Sequence, residues 1–195
     1  MGQEPRWQSR LHMEPHHRLH ESLARLLSAH CYAERIALRF GSGTPYLPGK
    51  ASIQLHPDRL TQPLHWKKPR RIFVCSMADL FHEEVPVTFL HQVFSIMAQC
   101  PQHTFQVLTK RAERMRDTWP YLPVPNNVWA GVSVENQYWA DRRIPALVSI
   151  KGNLIKFISV EPLLKPVNLA PYIYLCSGCG AIPCACKGTA FHWVS

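Results

Sequence analysis

The stretch that decides the fold is RIFVCSMADLFHEEVPVTFLHQVFSIMA, residues 71–98. Its first seven residues form a short apolar run rich in β-favouring side chains, which predicts a strand. From Val87 onward the apolar residues recur at every third or fourth position, which predicts an amphipathic helix over about Val87–Ala98. Residues 71–98 therefore predict one unit of a strand followed by a helix.

The same unit recurs toward the C-terminus. Apolar runs at 104–108, 127–132 and 154–158 predict three further strands, and a fifth run begins at 191–194. Helical stretches follow the first two of these runs, one to about residue 119 and one over about 137–149. This alternation predicts an α/β fold with parallel strands and right-handed crossovers, either a doubly wound sheet or a βα-barrel.

Polar or ionisable residues follow each complete predicted strand. Parallel sheets and barrels place their sites at the carboxyl ends of the strands, so we expect these residues to share one pocket. The alternative is that they are loop residues and helix N-caps, which suits Asp79 and Ser133. The residues concerned are Ser76, Asp79, Lys110, Ser133, Glu135, Asn136, Ser159 and Glu161.

Composition and charge narrow the class of protein. A chain of 195 residues with 46% hydrophobic residues is long enough for one domain with a substantial core. It contains no apolar stretch of about 18 residues and no signal-peptide pattern, so we expect a cytoplasmic protein without a membrane partner. The net charge of +9 is densest in KKPRR at 67–71, which predicts a nucleic acid or a phosphate-bearing substrate; a solvated basic face is an equal alternative.

Seven cysteines are present, and four of them fall close together near the C-terminus. Without a secretory context this clustering favours metal binding over disulfides. We favour structural zinc at these four thiolates; reduced cysteines in an inserted loop, or a second iron–sulfur cluster, are the alternatives. The four are Cys176, Cys179, Cys184 and Cys186, within an insertion at about 174–188. The isolated Cys75 and Cys100 are expected to be buried apolar residues.

Five blocks carry a family resemblance, in the order CYAE at 31–34, RRIFVCSMADLFH at 70–82, HTFQVLTKR at 103–111, VWAGVSVENQ at 128–137 and FISVEPLL at 157–164. They resemble the phage gene product 37/68 family, an uncharacterised group similar to radical S-adenosylmethionine proteins. The likeness covers about residues 31–170.

The resemblance implies a partial parallel βα-barrel of the radical S-adenosylmethionine type. In the intact family a [4Fe–4S] cluster would sit on three cysteines spaced Cys-x6-Cys-x2-Cys, with Cys31 as the third. S-adenosylmethionine would bind the open iron and be cleaved to a radical acting on a nucleotide or nucleic-acid substrate. The resemblance also implies that Tyr32 and the strand-end residues line the pocket for the cofactor and substrate.

The chain departs from the family at the cluster motif, because residues 1–30 contain no cysteine. Read one nucleotide later, codons permitted for residues 11–28 translate as TWNPITGCTKVSPGC, which supplies the missing Cys-x6-Cys. We therefore expect a frameshift, with residues 1–30 a non-native or disordered segment and 31–195 a single βα-barrel-like domain. Because the family also continues past a Trp-Val strand, we expect a barrel incomplete at both ends and a catalytically defective chain.

A different class of function stays open beside the radical enzyme. The chain would then be a non-enzymatic, zinc-containing module of phage origin that binds nucleic acid or protein. This alternative predicts salt-dependent binding to polyanions that survives the substitution Cys31→Ala.

Overall fold

The computed structural model of the chain describes residues 53–76, 78–152 and 154–173. Four strands, β1 (Arg71–Val74), β2 (Thr104–Thr109), β3 (Val128–Ser133) and β4 (Ile155–Ser159), form one sheet in the order β1-β2-β3-β4. Every neighbouring pair is parallel. The helices are α1 (Val87–Ala98), α2 (Ala112–Thr118), α3 (Gln137–Ser149) and the short α4 (Ala170–Ile173), and 3-10 turns occupy Pro57–Arg59, Gln62–His65 and Trp119–Tyr121. Within these ranges no helix is both long and apolar enough to cross a membrane.

The predicted α/β class and its parallel strands are confirmed, and α1 and α3 have the predicted bounds. Strand β1 ends at Val74, three residues earlier than predicted. The reason is Cys75, which has a φ of 57° in the left-handed region and whose carbonyl accepts a hydrogen bond from Ala78 N at 3.0 Å. The chain therefore turns at once. The fifth predicted strand, at 191–194, lies outside the described residues.

The first three helices pack on one face of the sheet. Their buried side chains share one apolar cluster with alternate strand residues, because successive side chains of a strand point to opposite faces. Register aligns these strand residues in rows across the sheet, for example Ile72, Phe105 and Val128. The strand members of the cluster are Ile72, Val74, Phe105, Val107, Val128, Ala130, Val132 and Ile158.

The opposite face of the sheet carries a different set of side chains. Phe73, Gln106 and Trp129 form one row, and Leu108, Gly131 and Phe157 form the next. Phe157 is 3% exposed and lies outside the apolar cluster of the helix face. A Cβ atom added to Gly131 would stand 2.4 to 2.6 Å from atoms of the Phe157 ring. Glycine is therefore required at position 131 by the close approach of that ring.

We predict that Gly131→Ala lowers the free energy of unfolding by about 1–3 kcal/mol, because the added methyl group overpacks the Phe157 ring. The double variant Gly131→Ala/Phe157→Leu should recover part of this loss, since the two positions are in contact and their effects are not additive. Urea unfolding of both single variants, the double variant and the unaltered chain measures the coupling. An unchanged stability for Gly131→Ala would contradict the described contact.

Candidate functional site

Asp79 joins the ends of β1 and β2. Its side chain is buried, and its Oδ1 accepts hydrogen bonds from Phe81 N at 2.9 Å and from the Thr109 hydroxyl at 2.7 Å. Its Oδ2 accepts from Lys110 N at 3.0 Å and from the Arg111 guanidinium at 3.1 Å. A carboxylate offers about four acceptor positions, so these four donors occupy Asp79 completely. Asp79 therefore positions the loop that carries Lys110.

Arg111 extends this set of contacts toward the surface. Its Nε donates to the Glu83 carboxylate at 2.8 Å, and its backbone N donates to the Thr109 hydroxyl at 2.9 Å. The guanidinium thus bridges Asp79, which is buried, and Glu83, which is exposed. The loop after β2 is fixed through both its backbone and its side chains.

Glu135, which follows β3, is the most buried carboxylate at this edge of the sheet, with 1% of its surface exposed. Its Oε1 forms an ion pair with Lys110 Nζ, and its Oε2 accepts from Arg143 of α3 at 2.8 Å. Arg143 is itself 2% exposed, donates to Ser133 O at 2.8 Å, and lies 4.0 Å from the centre of the Trp139 ring. Two cations thus share one carboxylate, which leaves this triad with a net positive charge.

The charge state of Glu135 follows from opposing effects. Burial alone would raise the pKa of this carboxyl, but the charges of Lys110 and Arg143 and the hydrogen bond from Lys110 outweigh burial and hold the pKa below its ordinary value. Burial lowers the pKa of Arg143 while Glu135 opposes that effect. A guanidinium remains protonated in proteins all the same. Glu135 and Arg143 are therefore both ionised at neutral pH.

The described cysteines are inert positions in this fold. Burial, reinforced by the nearby Asp79 charge, raises the pKa of the half-buried Cys75 to about 12, so its thiol stays protonated. Cys100 is completely buried and precedes β2, at the opposite end of the sheet from Cys75. Within the described ranges no group of three or more His, Cys, Asp or Glu side chains could hold a metal ion.

The structure gives two of the predicted site residues local roles. Asn136 is the N-cap of α3, and its side chain accepts from Trp139 N at 3.2 Å. Ser159 O accepts from Val134 N at 2.8 Å, which links the ends of β3 and β4. The predicted N-cap roles of Asp79 and Ser133 are not found, since Asn136 caps α3 and Asp79 binds the loop after β2.

Of the remaining predicted site residues, Ser76 is half-buried in the turn after β1. Glu161 is exposed, and no described residue forms an ion pair with it. The segments 1–30 and 174–188 lie outside the described residues. Six predicted site residues lie outside them as well. These are Cys31, Tyr32, Cys176, Cys179, Cys184 and Cys186.

The structure pairs Lys110 with Glu135, two residues of the expected pocket, and adds Arg143, Arg111 and Thr109, which the sequence analysis did not name. A signal for Arg143 exists in the sequence. It stands on the apolar face of α3, three residues after Ala140 and four before Leu147, both completely buried. A charged residue at such a position requires a buried partner of opposite charge. Glu135 lies two residues before the first residue of α3 and is the nearest acidic residue preceding that helix.

The described residues therefore define a parallel α/β protein with a charged cluster at the carboxyl ends of its strands. Residues 27–194 match the model of a family described as protein of unknown function (DUF5131), and the chain belongs to that family. No curated protein and no solved structure matches the chain. The family assignment thus rests on most of the sequence, and the interpretation of the site rests on its own geometry.

We predict that Glu135→Gln destabilises the protein at neutral pH, and that its difference from the unaltered chain shrinks as the pH falls below about 4.5. The folded-state pKa of Glu135 is lowered, so its contribution is complete above the unfolded value of 4.5 and is lost as pH falls through the folded value. Urea unfolding at neutral and acid pH measures both differences. Glu161→Gln is the control, and we expect little change at either pH because this residue is exposed. A difference for Glu135→Gln that stays constant with pH would contradict the ion triad.

Proposed function

We propose that this protein is a radical S-adenosylmethionine-like βα-barrel protein that has lost its cluster and retains an anion-binding site at the carboxyl edge of the sheet. Lys110 would contact a phosphate or carboxylate group of a nucleotide-like ligand at that site. The observation that carries this proposal is the sharing of the Glu135 carboxylate by Lys110 and Arg143, which leaves one positive charge in excess.

The barrel part of the proposal is supported by strand order. Each crossover from β1 to β4 steps to the next strand in the same direction, and helices α1 to α3 pack on one face. Right-handed crossovers in a constant direction continue into a barrel, whereas a doubly wound sheet reverses direction at a switch point. The described strands contain no such reversal. The face with Leu108, Gly131 and Phe157 would then line the barrel interior, and the row of Phe73, Gln106 and Trp129 would lie at the amino end of that face.

The three-cysteine cluster of the radical type does not fit the residues of this chain. Three thiolates are needed, and the first 74 residues contain Cys31 alone. Cys75 and Cys100 cannot complete the set, because one follows β1 and the other precedes β2, at opposite ends of the sheet. We therefore assign no radical step to this chain, and the proposed activity is binding.

The ligand's charge follows from the side chains that meet at this edge. Within the triad, Lys110 has 19% of its side chain exposed, whereas Glu135 and Arg143 are almost completely buried. Lys110 is therefore the member that an incoming group can reach. Helix α3 begins beside it at Gln137, and the amino end of a helix carries partial positive charge. An anionic group is favoured, and both a nucleotide phosphate and the carboxylate of S-adenosylmethionine supply one.

We predict that ATP or S-adenosylmethionine binds the unaltered chain, and that Lys110→Ala weakens this binding by about tenfold or more because a charged hydrogen-bond donor is lost. Lys110→Arg keeps the charge and should retain most of the affinity. Isothermal titration with each ligand separates a phosphate from a carboxylate preference, and thermal unfolding confirms that each variant is folded. Absence of binding for both ligands, or equal affinity for Lys110→Ala, would overturn the proposal.

A second prediction concerns the cluster. In a background with Cys176, Cys179, Cys184 and Cys186 replaced by serine, anaerobic reconstitution with iron and sulfide should give no stable thiolate-to-iron charge-transfer band, because Cys31 is then the only cysteine of the cluster motif. Replacing residues 14–28 by TWNPITGCTKVSPGC puts cysteines at positions 21 and 28, which with Cys31 complete the spacing Cys-x6-Cys-x2-Cys. This variant should gain the band, and adding Cys31→Ala to it should remove the band. If the replaced chain gains no cluster, the radical-type ancestry is wrong, while the Lys110 prediction stands or falls separately.

A further inference from the structure

The amino edge of the sheet carries an unneutralised group of cations. Lys67, Lys68, Arg70 and Arg71 lead into β1, and all four are exposed. No acidic residue stands among them, and no ion pair within the described part of the chain reaches any of the four. This group is called the basic strip below. Four adjacent positive charges without counter-charges attract a polyanion.

Two tryptophan rings lie against the basic strip. The Arg70 guanidinium is 4.6 Å from the centre of the Trp66 ring, and the Arg71 guanidinium is 5.6 Å from the centre of the Trp129 ring. Both tryptophans are half-buried, so part of each side chain reaches the surface. The four cations therefore lie between two aromatic rings, Trp66 before β1 and Trp129 in β3.

The strip is held in place by the sheet. Arg70 N donates to Nδ1 of the buried His103 at 3.2 Å, and Arg70 O accepts from Thr104 N at 2.9 Å. The His103 ring in turn lies 5.9 Å from the Trp66 ring, centre to centre. The backbone at Arg70 is thus fixed before any partner binds, which lowers the entropic cost of binding there.

We propose that the basic strip with Trp66 and Trp129 binds single-stranded nucleic acid. Lysine and arginine side chains contact successive phosphates, while unpaired bases stack on exposed aromatic or guanidinium surfaces. A duplex fits less well, because major-groove recognition uses an inserted helix or β-ribbon and residues 66–70 belong to no helix or strand. The single strand is therefore the partner whose charge and exposed bases match this edge.

This site is distinct from the site at the carboxyl edge. Arg71 begins β1 and Trp129 is the second residue of β3, whereas Lys110 and Glu135 follow the last residues of β2 and β3. The two ends of the strands are involved, so the variants of one site leave the other intact. The inference therefore does not rest on the proposed function of the Lys110 triad.

The test measures fluorescence anisotropy of labelled oligodeoxyuridine and oligouridine of about 15 nucleotides, a length within the range that single-strand binding modules cover. The full chain should bind both or one of them, which also tells whether the sugar is read. Lys67→Gln/Lys68→Gln/Arg70→Gln should weaken binding about tenfold or more and reduce the slope of log affinity against log salt by about 2, since each phosphate contact contributes about 0.7.

The matched control removes three exposed cations elsewhere, with Arg142→Gln/Lys151→Gln/Lys165→Gln. It makes the same change in net charge, so it should leave affinity within about threefold if the strip is the site. An equal loss in both triple variants would show that only net charge matters and would overturn the proposal. Equal or tighter binding of a duplex of the same length would also overturn it.

The tryptophan contribution is tested separately. Trp129→Leu should weaken binding of either single strand by about fivefold or more, whereas Trp129→Phe keeps an aromatic surface and should retain most of the affinity. Circular dichroism and thermal unfolding establish that both variants fold. Equal affinities for folded Trp129→Leu and the unaltered chain would remove the stacking part of the proposal and leave an ordinary basic surface.

Discussion

A carboxylate removed from water costs several kcal/mol unless cations reach it, and Glu135 meets that requirement from two directions. Lys110 comes from the loop after β2, and Arg143 comes from α3. One buried charge therefore ties together two successive strand–helix units. The position of Lys110 in turn depends on Asp79, whose carboxylate binds the Lys110 backbone. Ion pairs thus stabilise the carboxyl edge. Removing any one of these charged side chains would leave its partner charge unpaired.

The sequence predicted the helices better than the strand ends or the site. Helices α1 and α3 have the expected bounds because their apolar spacing is regular. The predicted end of β1 was three residues too late, because the apolar run gives no sign that Cys75 adopts a positive φ. Polar residues after strands identified the edge on which Lys110 and Glu135 meet. They did not distinguish Asn136, a helix cap, from Glu135, a buried ion, because that difference depends on packing against α3.

The two ends of the strands use positive charge in different ways. At the carboxyl edge the cations are buried or half-buried, paired with carboxylates, and fixed in position. At the amino edge four cations are exposed and form no ion pair with any described residue, so they stay available to a flexible polyanion. Salt screens the exposed charges far more than the buried ones. Raising the ionic strength should therefore weaken anion binding at the amino edge more than at the carboxyl edge, even though both edges are basic.

The contact between Gly131 and Phe157 also constrains how the sequence can change over time. With the aromatic ring in place, position 131 admits no side chain without displacing buried atoms. Exchange of the ring for a smaller group would have to come first, and only then would a larger residue at 131 become tolerable. The substitution at position 157 therefore has to precede the substitution at position 131. This is epistasis that arises from the packing of the two residues. Related chains should consequently show paired changes at these two positions, with a small residue always facing a large one.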